Sequence, residues 1–281
     1  MEVEKSKDGT VKLNFKEGYS AVVIPLGGKR TLCLSSQVGC AMGCLFCVSG
    51  RRRFERNLSL DELKGQLNAA LQYLGIRNKE EGKSDWMLAD EISSIVFMGM
   101  GEPLLNLENV LAFCDFVNLE YGYAYSRILV STCGVVDKMR EVIERYPNKI
   151  QLAVSLHSPF QDVRDLIMPG LKGYSIKDLV EVCHRYNEVY RQKIMIEYLM
   201  IEGVTDRDED LDALIGVGLA KRTLFNLIGL NSSFEVEGVE MRSSSLERME
   251  YFRERLMGAG YKCFVRTRFG EDIEAACGML R

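Results

Sequence analysis

The sequence is poor in several residue types, and each shortage excludes a class of protein. It has only five prolines, and no proline-rich stretch divides the chain. Its two histidines, His157 and His184, lie too far apart in the sequence to be the histidine pair of a zinc site with two cysteines and two histidines. No apolar run reaches the length that spans a bilayer, and the charged N-terminus lacks the apolar core of a signal peptide. We therefore expect a cytoplasmic protein that does not enter the membrane.

The charge balance excludes a chain that is basic throughout. Lys and Arg number 36 while Asp and Glu number 40, which gives a net charge of −4. A local basic patch for nucleic acid is still compatible with this balance. The hydrophobic fraction of 47% and the charged fraction of 27% are typical of a folded chain, so disorder is excluded. A length of 281 residues fits one large domain or two small ones.

Strand-like and helix-like segments alternate along most of the chain. A small β element with two extended runs comes first, and seven further strands are predicted at residues 31–35, 92–98, 127–131, 150–155, 193–200, 223–229 and 261–265. Amphipathic helices separate most of them, and a charged loop is predicted at 77–91. This pattern predicts an α/β fold with about six β-α repeats, which we expect to form an open, partial (β/α)6 barrel. The predicted division is an N-terminal β extension over residues 1–30 and a barrel core over residues 31–281.

Three of the nine cysteines are closely spaced, directly after the first predicted barrel strand. Cys40, Cys44 and Cys47 form the pattern C-x3-C-x2-C. Three thiolates on one tight loop suit a cubane iron–sulfur cluster in which one iron has no protein ligand. A structural zinc site is the alternative, but zinc prefers four closed ligands, usually in two separated pairs, and the sequence has no second pair.

This spacing resembles the signature of the radical S-adenosylmethionine (SAM) superfamily. The resemblance implies a 4Fe–4S cluster whose open iron binds the amino and carboxylate groups of SAM. One electron then splits SAM into methionine and a 5′-deoxyadenosyl radical. The resemblance also implies an external electron donor of the flavodoxin or ferredoxin type. We expect the enzyme to act as a monomer.

Polar residues at the predicted strand ends supply candidate SAM ligands. Glu102 offers a carboxylate at the place where the superfamily binds the SAM amino group. Ser131, Ser155 and Asn231 end or follow later strands, on the rim where the ribose hydroxyls and the carboxylate of SAM need hydrogen-bond partners. The role of His157 stays open, because a lone histidine in such a position is more often structural than catalytic.

Longer segments closely resemble the RlmN/Cfr family of radical SAM methyltransferases, which act on adenosine in ribosomal and transfer RNA. The resemblance includes two cysteines outside the triplet, Cys33 and Cys277. The matching segments run in the family's order and cover residues 31–47, 53–58, 97–110, 130–136, 152–159, 196–204 and 272–278.

The resemblance implies distinct catalytic roles for Cys277 and Cys33. The thiolate of Cys277, on a C-terminal tail of the radical SAM core, takes a methyl group from one SAM molecule. The radical from a second SAM removes a hydrogen from that methyl group, and the resulting methylene radical adds to C2 or C8 of adenine. Cys33 then takes a proton from the adduct and attacks the Cys277 sulfur. The methylated product leaves, and a disulfide bond remains that must be reduced.

The sequence departs from the family in two places that concern substrate recognition. The family usually has an additional helical RNA-binding domain at the N-terminus, and this chain begins where that domain would end, so we expect a short form. In addition, Ser20 occupies the position before Cys33 at which the family typically has a glutamate.

Two arginine clusters are candidates for holding RNA phosphates, although a solvated charged surface would explain them equally well. They comprise Arg51, Arg52, Arg53 and Arg56 after the cysteine triplet, and Arg266 and Arg268 before Cys277. Two alternative functions therefore stay open. One is the same two-cysteine methylation of a nucleotide, peptide or small molecule. The other is electron transfer by a non-enzymatic iron–sulfur protein, in which Glu102 and the two outlying cysteines would have no purpose.

Overall fold

Strands and helices alternate through most of the chain in the computed structural model, which describes residues 1–76, 87–190, 192–236 and 238–281. The strands are β1 (Glu2–Lys5), β2 (Val11–Asn14), β3 (Ser20–Leu26), β4 (Lys29–Cys33), β5 (Gln37–Val38), β6 (Arg56–Asn57), β7 (Ser94–Phe97), β8 (Ile128–Thr132), β9 (Gln151–Ser155), β10 (Met195–Met200), β11 (Leu224–Gly229), β12 (Phe234–Val236), β13 (Val239–Met241) and β14 (Lys262–Val265). The α-helices are α1 (Val48–Arg51), α2 (Leu60–Tyr73), α3 (Leu88–Glu91), α4 (Leu107–Tyr121), α5 (Val136–Arg145), α6 (Gln161–Ile167), α7 (Ile176–Val189), α8 (Asp208–Gly216) and α9 (Leu246–Gly258).

Ten of the described strands form one mixed sheet in the order β1-β2-β3-β4-β7-β8-β9-β10-β11-β14. The strands from β1 to β4 pair antiparallel, and those from β4 onward pair parallel. At least one helix lies between consecutive parallel strands, as parallel pairing requires. Within the described residues the sheet ends at β1 and β14, so it stays open. The prediction of a partial (β/α)6 barrel preceded by a small β element is confirmed.

Local signals explain how the helices between the strands begin and which face they bury. The hydroxyl of Ser59 accepts the N–H of Glu62 at 3.3 Å, and the Glu62 carboxylate accepts the N–H of Ser59 at 2.9 Å. This reciprocal capping box fixes the start of α2. Leu63 and Leu67, one turn apart, are then fully buried in the core. Full burial of one such leucine contributes roughly 1.5–3 kcal/mol.

Differences from the sequence expectations are confined to short elements. The sequence does not reveal β1, because this strand has only four residues, mostly exposed, and a single apolar side chain. The two-stranded ribbons β5–β6 and β12–β13 are too short for periodicity to reveal them. Of the loop predicted at 77–91, residues 77–86 lie outside the described part of the chain, and Leu88–Glu91 is a helix instead. The division at residue 30 stays a prediction; residue 30 lies within β4, which pairs with β3.

None of the helices in the described part of the chain has the length and apolar character needed to cross a membrane.

Candidate active site

The cysteine triplet lies on a loop that the backbone holds in a fixed shape. Gly39, just before Cys40, has a φ of +72°, and a side chain there would collide with the Arg53 carbonyl. The loop is tied to the end of α6 and the turn after it. The N–H of Leu45 donates to the carbonyl of Ile167 at 3.0 Å, and the N–H of Gly170 donates to the carbonyl of Met42 at 2.9 Å.

The three thiols of Cys40, Cys44 and Cys47 line one cavity, which we call the cysteine cavity. Burial raises the pKa of Cys40 to about 12, and it also raises the pKa values of Cys44 and Cys47. A set of buried thiols becomes anionic only when a cation offsets the cost of burial. Three thiols around one cavity are the donor set that an iron–sulfur cluster with one open iron takes.

Glu102 lies in the same cavity with 3% of its surface exposed. One carboxylate oxygen accepts the N–H of Leu104 at 3.0 Å, and the other accepts the N–H of Cys133 at 2.8 Å. Burial raises the pKa of Glu102, and hydrogen bonds from Cys133, Leu104 and Thr132 to the carboxylate oppose that effect. An ammonium group in the cavity would meet this buried carboxylate as its counter-charge.

The other predicted SAM ligands also line the cysteine cavity. Ser131 and Ser155 lie at the ends of β8 and β9, and Asn231 follows β11. The amide of Asn231 donates to the carbonyl of Cys277 at 2.9 Å, whereas its buried Oδ1 has no partner within the described residues. An unsatisfied buried acceptor is costly. A hydroxyl donor of a bound ligand would satisfy it, so the residues present fit SAM.

Cys277 lies at the boundary between the cysteine cavity and a second cavity, which we call the tail cavity. The C-terminal tail is fastened directly after this residue. The carbonyl of Gly278 accepts the N–H of Val48 at 2.7 Å, and the carbonyl of Leu280 accepts the hydroxyl of Ser49 at 2.5 Å. The thiol of Cys277 is therefore placed where groups in both cavities can reach it.

Cys33 lines the tail cavity together with Cys277. Burial, together with the negative charge of a Cys277 thiolate, raises the pKa of Cys33 to about 12. All nine cysteines lie within the described residues, and each is a free thiol. The disulfide bond between Cys33 and Cys277 that the resemblance implies after turnover is absent from this structure.

The sequence reasoning missed Glu197, a carboxylate on the otherwise apolar strand β10. Its side chain is 6% exposed, lines the cysteine cavity and pairs with Arg266 at 3.2 Å. Burial raises the pKa of Cys277, whereas the Arg266 guanidinium lowers it and the Glu197 carboxylate raises it. The signal that could have revealed Glu197 is a lone charge in the middle of a buried strand.

Of the two arginine clusters that are candidates for holding RNA phosphates, the one before Cys277 places Arg266 in the lining of the tail cavity beside the two cysteines. Its guanidinium pairs there with Glu197 at 3.2 Å, and its contact with phosphate stays a prediction. In the other cluster, Arg52 pairs with Glu55 at 2.8 Å and Arg56 pairs with Glu62 at 2.8 Å. These neighbouring carboxylates reduce the positive potential that the cluster offers to phosphates.

His157 and Ser20 also have defined surroundings. His157 has a φ of +59°, and its Nδ1 accepts the N–H of Leu199 at 3.1 Å. Burial lowers the pKa of His157 to about 3, so the ring that lines the cysteine cavity is neutral. Ser20 is buried on β3, and its hydroxyl donates to Oδ1 of Asn14 at 2.7 Å. The position where the family typically has a glutamate therefore holds a neutral, hydrogen-bonded hydroxyl.

Comparisons with known proteins agree with this site. Residues 83–215 match the Radical SAM superfamily. The chain is 38% identical to a dual-specificity RNA methyltransferase RlmN of Desulfotalea psychrophila, over 99% of this chain and 76% of that protein. It is 35% identical to a probable dual-specificity RNA methyltransferase RlmN of Parabacteroides distasonis, over 99% of this chain and 77% of that protein.

A solved structure shares the whole fold. The crystal structure of a radical SAM methyltransferase from Sphaerobacter thermophilus superimposes with a TM-score of 0.87 at 33% identity, covering 100% of this chain and 80% of that one. Membership of the superfamily implies a 4Fe–4S cluster and SAM as cofactors, and the cysteine cavity has the residues to hold both. This chain belongs to the RlmN family of radical SAM methyltransferases.

Proposed function

We propose that this enzyme methylates C2 or C8 of an adenosine in ribosomal or transfer RNA, with Cys277 as the methyl carrier. The observation that carries the proposal is the position of Cys277, which lines the cysteine cavity on one side and the tail cavity on the other. A methyl carrier needs access both to the methyl donor and to the substrate. The RlmN relatives, named as RNA methyltransferases, support RNA as the substrate.

Within this proposal, the cysteine cavity holds the cofactors. Cys40, Cys44 and Cys47 would bind the cluster, Glu102 would bind the SAM amino group, and Ser131, Ser155 and Asn231 would bind the ribose and carboxylate of SAM. When bound, these cofactors supply a methyl group and a radical that can remove a hydrogen atom. The protein supplies position, and the burial of the site shields it from water.

The charged pair beside the cysteines governs the methyl-accepting step. A carbon electrophile is attacked by a thiolate and only weakly by a thiol. The Arg266 guanidinium stabilises the Cys277 thiolate against the cost of burial, and Glu197 fixes the guanidinium at 3.2 Å. Once the sulfur carries a methyl group it is neutral, so the negative charge that Arg266 stabilises disappears during the transfer.

Cys33 releases the product by attacking the sulfur of Cys277. The new bond joins the two sulfurs, and the bond between the Cys277 sulfur and the methylene carbon breaks. The electron pair of the broken bond stays with the methylene carbon, which remains joined to the base. This carbon then takes up a proton and becomes the new methyl group. An external reductant later supplies two electrons that cleave the disulfide and restore both thiols. The position of both cysteines on the tail cavity supports this assignment.

Nucleoside mass spectrometry tests the substrate. The loaded enzyme, with SAM and a reductant, is incubated with ribosomal RNA and transfer RNA, and the digested RNA is searched for 2-methyladenosine and 8-methyladenosine. We expect one of the two products with the intact enzyme and neither with the Cys277→Ala variant.

The second candidate is a nucleotide or peptide substrate, which the pairing of Arg52 and Arg56 with carboxylates favours. Methylation of such substrates without methylation of RNA would replace the proposal.

A further inference from the structure

Arg164 is a buried cation that forms no ion pair within the described residues. It lies on α6 with 1% of its surface exposed. Its Nη2 donates to the carbonyl of Cys133 at 2.7 Å. Within the described residues, Nε and Nη1 are buried without a hydrogen-bond partner, and no carboxylate lies within 4.0 Å of the guanidinium. An isolated buried charge is strongly unfavourable, so the folded enzyme needs an anion at this place.

The groups around Arg164 indicate which anion this is. The helix α6 packs against the cysteine loop through the hydrogen bonds of Leu45 and Gly170 described above. The guanidinium interacts electrostatically with Cys133, with Cys44 and, more weakly, with the carboxylate of Asp165 next to it on α6. Cys44 is one of the three proposed cluster ligands. Arg164 does not line either cavity itself. It therefore stands behind the wall of the cysteine cavity, on the side of Cys44.

We propose that Arg164 is the counter-charge of the iron–sulfur cluster and raises its reduction potential. An oxidised 4Fe–4S core with three thiolate ligands carries one net negative charge, and one-electron reduction adds a second. A fixed cation in a medium of low dielectric constant stabilises the doubly negative state more than the singly negative one. Its free N–H groups add to this effect when they donate to sulfur. This inference concerns the cofactor alone and does not depend on RNA being the substrate.

A purely structural role is the competing explanation, in which Arg164 only holds the carbonyl of Cys133. Two substitutions separate the roles. Arg164→Gln removes the charge and keeps an N–H donor, whereas Arg164→Lys keeps the charge and loses the planar fork of donors. The matched control is Arg185→Met, which removes the same charge from a side chain that is 59% exposed on α7.

The readout is the midpoint potential of the reconstituted cluster, followed by electron paramagnetic resonance during anaerobic titration with dithionite and Ti(III) citrate. We expect Arg164→Gln to lower the ratio of reduced to oxidised cluster at a given potential about tenfold, which corresponds to about 59 mV for a one-electron couple. Arg164→Lys should retain most of the wild-type potential, and Arg185→Met should be indistinguishable from wild type. Equal potentials for the Gln and Lys variants would overturn the proposal.

Thermal unfolding of the iron-free protein covers the case in which a variant does not keep its cluster. Without the cluster, Arg164 is an uncompensated buried charge, so the Arg164→Gln apoprotein should melt at a higher temperature than the wild-type apoprotein. With the cluster reconstituted, the order should reverse, or the variant should lose iron faster than wild type. If Arg164→Gln destabilised the apoprotein and the loaded protein equally, Arg164 would be a structural residue and the proposal would be wrong.

Discussion

The carboxylate of Asp8 accepts the backbone N–H of Gly270 at 2.7 Å, joining the N-terminal hairpin to the loop that carries Cys277. The same carboxylate accepts the N–H of Thr10 at 2.8 Å, within its own hairpin. Nearby, the Lys12 ammonium donates to the carbonyl of Ile273 at 3.2 Å. The hairpin made by β1 and β2 thus holds the tail in the position that the proposed chemistry requires.

Removal of this contact should loosen the tail without affecting the cysteine cavity. Asp8→Ala should cost about 1–2 kcal/mol, because it removes charge-assisted hydrogen bonds at a partly exposed site. Limited proteolysis should then cut between residues 266 and 281 more readily, and methylation should fall while reductive SAM cleavage persists. Glu144→Ala, which removes an exposed carboxylate on α5, serves as the control. Equal loss of SAM cleavage and methylation would show that Asp8 does not act through the tail.

The same contact should depend on pH in a defined direction. Burial acts to raise the pKa of Asp8, but hydrogen bonds from the backbone N–H groups of Gly270 and Thr10 outweigh it and lower the pKa from 3.8 to about 2. A lowered carboxyl pKa stabilises the folded state above pH 3.8, and this contribution is lost as the pH falls toward 2. We expect the difference in stability between wild type and Asp8→Ala to shrink across this window. A difference that is constant from pH 5 to pH 2 would contradict the assignment.

Charge changes beside Cys277 should alter its reactivity in opposite directions. The Cys277 pKa is raised by burial and lowered by Arg266. Arg266→Met should therefore raise this pKa further and leave less thiolate at pH 8. Each unit of pKa increase should slow alkylation about tenfold. Glu197→Gln removes the opposing negative charge and should speed alkylation. The measurement is the rate of iodoacetamide labelling of Cys277, mapped by peptide mass spectrometry in the iron-free protein. Arg268→Met is the matched control, because Arg268 pairs with Glu271 at 3.2 Å instead. Equal rates in the Arg266 and Glu197 variants would rule out this electrostatic role.

The cysteine triplet should carry the iron. Reconstituted wild-type protein is expected to hold about four irons per chain. Cys40→Ala, Cys44→Ala and Cys47→Ala should each lose most of that iron and all reductive SAM cleavage. Cys183→Ala is the control, since Cys183 is buried in the hydrophobic core on α7 away from both cavities. Full iron content in any of the three triplet variants would contradict the assignment of that ligand.

The sequence predicts the barrel strands and the lining of the cysteine cavity because these depend on local patterns. Each strand has its own apolar run, and each polar residue ends or follows one. The contact between Asp8 and Gly270 joins positions 262 residues apart, and no local pattern records it. Arg266 and Arg164 are similarly hidden, because an arginine in a sequence suggests an exposed side chain. The position of Arg266 depends on Glu197, and that of Arg164 depends on the cysteine loop. Only folding brings these partners together.

Covalent trapping with the Cys33→Ala variant tests the central claim most directly. If Cys277 carries the methyl group and Cys33 releases the product, this variant should form the carbon–carbon bond and then stop. Mass spectrometry after nuclease digestion should find an adenosine joined through a methylene group to Cys277, and the Cys33→Ala/Cys277→Ala double variant should show no such adduct. Normal turnover by Cys33→Ala, or an adduct at a residue other than Cys277, would contradict the account.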